Sequence, residues 1–228
     1  MHTGSSSQVK PDPIQVKICG ITTVDDGWTC VNLGADAVGL VFYPPSPRFV
    51  SLEQAVHIVS GLPPRVAKVG VFVNESYDTI MHTVSSCRLS AVQLHGQESP
   101  ELVERLAKNA IVVIKCLYLS GQPGLDAVSS YNAPAFLVEC SAGKLPGGNA
   151  KIWDWSAARD FAKRYPTIIA GGLTPENVAQ AIAAARPSAV DVSSGVESVP
   201  GRKESRKVRE FISAVHQSTL KNPTRRIF

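Results

Sequence analysis

Three observations in the sequence predict a single (β/α)8 barrel, an α/β fold closed on itself. Short apolar runs alternate with helical patterns eight times along the chain. The runs are almost continuously apolar, as strands covered on both faces of a parallel sheet must be. No G-x-G-x-x-G fingerprint of a dinucleotide-binding sheet follows the first run. Eight strand–helix units within 228 residues favour closure over an open doubly wound sheet. The barrel is expected over residues 15–218, with loose tails at 1–14 and 219–228.

In chain order the strand candidates are Gln15–Gly20, Ala37–Tyr43, Ala67–Val73, Ala91–Leu94, Ile111–Leu119, Ala135–Glu139, Thr167–Ala170 and Ala189–Val192. Helical patterns begin near Val24, Ser51, Ser76, Ser99, Pro123, Trp153, Pro175 and Glu204. Ser51 with Gln54 three residues on has the form of a capping box. Thr174-Pro175 with Asn177, and Asp154 before an Ala-rich turn, are further start signals.

Composition narrows the function classes. Hydrophobic residues make up 44% of the chain, enough to fill a core, and the 18% charged residues argue against disorder. The five cysteines are odd in number, scattered, and never in C-x-x-C pairs. That excludes a disulfide framework and a zinc-finger signature, and points to a reducing, cytoplasmic setting. The net charge of +4 is concentrated near the C-terminal end, in Arg202, Lys203, Arg206, Lys207, Arg209 and the last eight residues. This reads as a solvated face or an anion site; no basic helix interleaved with aromatics suggests nucleic acid. No apolar run approaches the roughly 20 residues of a membrane helix. The opening MHTGSSSQVKPDP lacks the apolar stretch of a secretory signal.

Barrel geometry says where chemistry belongs: at the carboxyl ends of the strands and in the loops that follow. Strand side chains alternate, so polar residues two apart share a face. On the first strand Lys17 and Cys19 share the face opposite Val16 and Ile18. Pointed into the barrel mouth, the ammonium would favour the thiolate, the form that takes a proton or attacks carbon. On the fourth strand Gln93 and His95 share a face, as a polar-ligand site or as a satisfied structural pair. The sixth ends in Glu139, where burial among apolar neighbours would suit a carboxyl to general-acid work. The loop Ser141–Lys151 that follows is rich in small residues and is expected to close over a ligand. Ser46-Pro47-Arg48, after the second strand, offers a guanidinium on a proline-stiffened turn, able to clamp a carboxylate with two hydrogen bonds.

The last two units carry an anion signature. Gly171-Gly172 precedes the helix opened by Thr174-Pro175, and Asp191 leads into Ser193-Ser194-Gly195. Such loops present backbone N–H groups near a helix start, where many barrels bind phosphate.

These segments together resemble the phosphoribosylanthranilate isomerase family of tryptophan biosynthesis. The resemblance rests on VKICGIT (Val16–Thr22), GADAVGLVFYPPSPRFVS (Gly34–Ser51), VGVFVN (Val69–Asn74), AVQLHG (Ala91–Gly96), GGLTPENV (Gly171–Val178) and VDVSSGVE (Val190–Glu197). It implies a metal-free and cofactor-free Amadori rearrangement of N-(5′-phosphoribosyl)anthranilate, with Cys19 as the base and Arg48 holding the anthranilate carboxylate. Phosphate would sit on Gly171, Gly172, Ser193, Ser194 and Gly195 with Asp191 beside them, and Lys17, Gln93 and His95 would line the substrate. The partner implied is a small phosphosugar, with neither nucleic acid nor membrane, for a chain that is a monomer or homodimer.

Three positions depart from the family pattern. The family's general acid is an aspartate where this chain has Glu139. One methylene moves the carboxyl by roughly an ångström, a displacement that can cost about a hundredfold in rate. The covering loop reads Gly147-Gly148-Asn149-Ala150 in place of Gly-Gly-Ser/Thr-Gly, and Pro200-Gly201-Arg202-Lys203-Glu204 replaces Pro-Gly-x-Lys-Asp. A divergent paralogue acting on another amino-sugar phosphate or aryl amine, or a catalytically weak phosphosugar-binding barrel, are the alternative readings.

Overall fold

The computed structural model describes residues 13–140, 152–218 and 225–228. Eight parallel strands close into a barrel in sequence order: β1 Gln15–Cys19, β2 Ala37–Val41, β3 Ala67–Phe72, β4 Ala91–Leu94, β5 Val112–Tyr118, β6 Ala135–Glu139, β7 Thr167–Ile169 and β8 Ala189–Val192. Each falls within the apolar run expected for it. β1 pairs with both β2 and β8, which closes the ring.

Local chemistry sets the helix ends. Helix α1 (Val24–Leu33) starts where Thr23 accepts from the Asp26 N–H, and stops at Gly34 in the left-handed region, φ 107°. Helix α2 (Leu52–Ser60) has the Ser51–Gln54 capping box complete in both directions. Ser76 and Ser99 cap α3 (Tyr77–Cys87) and α4 (Pro100–Ala107), the latter with proline in its first turn.

The fifth connection differs from expectation. The helix anticipated near Pro123 is a six-residue 3-10 segment, Leu125–Ser130. Ser129 and Ser130 are poor helix formers, and the chain turns back to β6 within a few residues. Asp154 caps a 3-10 turn, Trp155–Ala158, that runs into α5 (Arg159–Arg164). Helix α6 (Val178–Ala185) begins three residues later than Pro175, because Asn177 folds back on the turn: its Oδ1 accepts from Thr174 N–H and its Nδ2 donates to Gly172 O. A two-stranded hairpin, β9 (Glu197–Val199) and β10 (Arg202–Lys203), precedes α7 (Ser205–Gln217).

The interior is in two layers. Val16, Ile18, Val38, Leu40, Val92, Leu94, Val113 and Leu117 pack outward against the helices. Ala37, Val69, Ala91, Ile114, Leu137, Ile168 and Ala189 fill the barrel itself. The last residues of the expected C-terminal tail do not hang free. Ile227 is buried against the barrel filling, and Gln15 Oε1 accepts from the N–H groups of Ile227 and Phe228 at 2.6 and 3.1 Å. They stop the barrel at the amino ends of its strands, and the polar mouth lies at the other end.

Candidate active site

An open cavity of about 740 Å³ occupies the carboxyl end of the barrel. On β1, alternation sends Lys17 and Cys19 inward together, as expected. Lys17 is fully buried, with Nζ 2.9 Å from Asp191 Oδ2 on β8. Burial alone would lower the Lys17 pKa, but Asp191 and Cys19 beside it hold the ammonium above its ordinary value. Lys17 is therefore a permanent cation beneath the thiol. Cys19 lines the cavity, and its sulfur has room because β2 offers Gly39 as its register partner. A Cβ at residue 39 would lie 2.7 Å from Cys19 Sγ. Cys30, by contrast, lies on the buried face of α1, and burial pushes its thiol up to about 12.

Arg48 reaches the same side of the mouth and does clamp a carboxylate, but one supplied by the chain itself. Its Nε and Nη2 donate to Glu197 Oε1 and Oε2 at 2.9 and 2.6 Å. Lys203 Nζ also donates to Glu197 Oε1, at 2.7 Å, and to Ser193 O at 3.3 Å. Burial acts first to raise Glu197, yet Arg48 and Lys203 outweigh it and hold the carboxyl below its usual range. One edge of the guanidinium is thereby fixed, and Arg48 also lines the cavity. Lys203, read from sequence as part of a solvated basic cluster, is instead buried, its charge answered by Glu197.

The other side of the mouth is built on β4, β5 and β6. Glu139 is buried, but its carboxylate is not left among apolar neighbours, as the sequence suggested: His95 Nε2 lies 3.2 Å from its Oε2. His95 Nδ1 meets the Gln93 amide at 2.8 Å, and Tyr118 donates its hydroxyl to His95 O at 2.8 Å. Burial opposes a charged imidazole, but Cys116 and Glu139 around Nε2 hold the His95 pKa well above the ordinary value. With Gln93 Nε2 facing Nδ1, Gln93 Oε1 has no partner among the described residues; the two amide orientations differ only in which atom faces the ring.

Gly171, Gly172, Ser193, Ser194 and Gly195 line the third wall. Gly171 and Gly172 have φ of 85° and 66°, where a side chain would be strained. A Cβ on Gly171 would also meet Glu139 Cγ at 3.1 Å, so this loop and the carboxylate share one space. Ser193 Oγ donates to Cys19 O at 3.0 Å and ties the β8 loop to β1. The anticipated covering loop, Ser141–Lys151 with Gly147-Gly148-Asn149-Ala150, lies outside the described residues.

Sequence reading thus brings together Lys17, Cys19, Arg48, Gln93, His95, Glu139, Asp191 and both glycine–serine loops. It misses Glu197, Lys203 and the buried pair Lys115–Glu98, 2.8 Å apart, whose carboxylate also accepts from the N–H groups of Asn74 and Gly96. One signal for that last pair was available. Lys115 interrupts an apolar strand on its helix-facing side, and a buried ammonium demands a carboxylate nearby.

Comparison with known proteins agrees with the geometry. A sequence model of the family described as N-(5′-phosphoribosyl)anthranilate (PRA) isomerase matches residues 16–214. The N-(5′-phosphoribosyl)anthranilate isomerase of Desulfatibacillum aliphaticivorans is 51% identical over 215 residues, covering 94% of this chain and 99% of that protein. The crystal structure of phosphoribosyl anthranilate isomerase from Thermotoga maritima is 43% identical, with a TM-score of 0.82 over 89% of this chain and 98% of the other. A crystal structure of a phosphoribosyl anthranilate isomerase in complex with reduced 1-(o-carboxyphenylamino)-1-deoxyribulose 5-phosphate is 42% identical, with a TM-score of 0.79 over 89% and 98% of the two chains. With the barrel, its mouth and these relatives in agreement, the chain belongs to the N-(5′-phosphoribosyl)anthranilate isomerase family and is an isomerase of tryptophan biosynthesis.

Proposed function

We propose that the chain converts N-(5′-phosphoribosyl)anthranilate to 1-(o-carboxyphenylamino)-1-deoxyribulose 5-phosphate, with Glu139 as general acid and Cys19 as general base. One observation carries the assignment of roles. A thiol beside a buried ammonium and a carboxylate joined to an imidazole line the same cavity, on different walls. That is the disposition an acid–base isomerisation needs.

Phosphate rests on the loops after β7 and β8, and the anthranilate carboxylate meets the edge of Arg48 that Glu197 leaves open. Glu139 gives its proton to the furanose ring oxygen. The C1′–O bond breaks as the anthranilate nitrogen lone pair forms a C1′=N bond. Cys19, as thiolate, removes the C2′ proton, and the electron pair forms C1′=C2′ and neutralises the nitrogen. The resulting enolamine takes a proton at C1′ and gives up the proton of its C2′ hydroxyl, which leaves the ketone. Lys17, held by Asp191, offsets the charge of the thiolate, and His95 returns a proton to Glu139. Every proton is moved by a side chain, so no step calls on a cofactor.

The substrate class is a small phosphorylated sugar bearing an aryl amine, and the protein works in the cytoplasm as a monomer or homodimer. One relative, from Thermotoga maritima, is described as a dimer; size-exclusion chromatography with light scattering decides the state here. Among the described residues no helix is long and apolar enough to cross a membrane. The chemistry is tested by steady-state turnover of N-(5′-phosphoribosyl)anthranilate. Wild type turns over, Cys19→Ala loses about 10²- to 10⁴-fold in kcat, and Glu139→Asp stays within about a hundredfold of wild type. A Cys19→Ala enzyme as fast as wild type rules out the thiol as base.

A further inference from the structure

We propose that the floor of the active site is a zinc site, formed by His95, Cys116 and Glu139, and that zinc there shuts the isomerase off. Nε2 of His95, Sγ of Cys116 and a carboxylate oxygen of Glu139 all lie within 4.8 Å of one another, and all three residues are buried. His95 Nε2 is 3.2 Å from Glu139 Oε2 and 4.0 Å from Cys116 Sγ. An ion seated among atoms so spaced reaches each at close to zinc bond lengths, about 2.0 Å to nitrogen or oxygen and about 2.3 Å to sulfur. One nitrogen, one sulfur and one oxygen suit a borderline-soft divalent ion better than magnesium or calcium.

The three ligands come from the ends of adjacent strands: His95 just beyond β4, Cys116 within β5 and Glu139 at the end of β6. Their backbone spacing is thus fixed by the barrel. Cys116 is fully buried and itself carries no proton in the isomerisation as derived above. Gln93 supplies the outer support that a metal-bound histidine uses. With its amide turned so that oxygen faces Nδ1, Gln93 Oε1, now without a partner, accepts the Nδ1 proton and leaves the Nε2 lone pair free to bind. Three protein ligands leave a fourth position, toward the cavity that His95 and Glu139 line.

Binding converts the Cys116 thiol to a zinc thiolate and displaces the Nε2 proton of His95, and both protons pass to solvent. It also occupies the Glu139 oxygen that holds the proton for ring opening. Zinc and substrate activation are therefore mutually exclusive at this floor. The inhibition half of the proposal rests on Glu139 as acid; the binding half does not, and the experiment reads them separately.

Zinc chloride is titrated by calorimetry into the full chain in chelator-free buffer. Cadmium chloride is titrated in parallel, following the ultraviolet thiolate-to-metal charge-transfer band. The proposal expects one ion per chain, a thiolate band, and inhibition of turnover that a chelator reverses. In Cys116→Ala the band disappears and binding weakens by at least about tenfold. Cys116→Ser, which preserves volume, gives the same loss of band if alanine destabilises the fold. In Cys19→Ala the band persists. A band that survives in both Cys116 variants, or that vanishes in Cys19→Ala, overturns the site. So does an anomalous zinc peak in a soaked crystal lying anywhere but between His95, Cys116 and Glu139. Zinc bound at that floor with turnover undiminished overturns the inhibition and, with it, the role of Glu139.

Discussion

On the side of the mouth made by β8, β1 and β2, each formal charge has a counter-charge in bonding distance: Lys17 with Asp191, and Arg48 and Lys203 with Glu197. On the side made by β4 to β6, Gln93, His95 and Glu139 form a chain of polar contacts, 2.8 Å and 3.2 Å apart, in which the imidazole holds its proton to a higher pH than usual. The first arrangement fixes position and potential, because each of its cations is held against a carboxylate. In the proposed mechanism the second stores a proton and gives it up. On the proposed roles, a base held beside a permanent cation and an acid fed through an imidazole are two solutions to one task, and they predict different failures.

The contrast breaks most sharply at the acid. Glu139→Gln keeps the shape of the side chain and its contact with His95 but has no proton to give. It is expected to lower kcat by about 10²- to 10⁴-fold with KM little changed. An equal fall in Glu139→Gln and Glu139→Asp would show that placement, and not the proton, is what matters.

On the fixed side, Glu197→Gln leaves Arg48 and Lys203 buried without their counter-charge. Stability should fall by about 3–5 kcal/mol, a drop of roughly 10 °C in Tm by calorimetry. Arg48→Ala leaves Glu197 still paired with Lys203, so the fold suffers less and binding suffers more. Loss of charged hydrogen bonds to the substrate carboxylate is worth about 1.5–3 kcal/mol, an increase of about 10- to 100-fold in KM.

The smallest effect is on pH dependence, and it separates the two sides cleanly. The folded protein holds the His95 proton to a higher pH than the unfolded chain, whose histidine titrates near 6.5. The stabilisation is complete below that value and is lost as pH rises through the raised folded value. Thermal melts taken upward from about pH 6 should show Tm declining in wild type and declining less in His95→Asn. Variants of Arg48 should keep the wild-type slope.

How much of this was legible follows from the range of each interaction. The eight strands were readable because parallel strands covered on both faces must be apolar along their whole length. The inward set Lys17, Cys19, Gln93 and Glu139 was readable because alternation is a local rule. The fifth helix was not, since a proline and a helical pattern do not reveal that β6 begins too soon for more than a short 3-10 segment. The late start of α6 was hidden in the Asn177 side chain, whose bonds to the preceding turn compete with helix. Glu197 meets Arg48 across 149 positions of sequence, and nothing local to either residue announces the other. The same holds for His95 and Glu139, which were found singly and not as a pair.

Gly39 carries a consequence for how such a site is inherited. The seat of the Cys19 sulfur is an empty place on the neighbouring strand, so the proposed base depends on a residue that offers no functional group at all. A methyl there would press on Sγ, and a shift of even part of an ångström is costly for proton transfer from carbon. The reactivity of Cys19 is thus specified at two positions, one that supplies the atom and one that stays out of its way. On the proposed mechanism, a substitution at the second would silence the chemistry while leaving every proposed catalytic side chain intact.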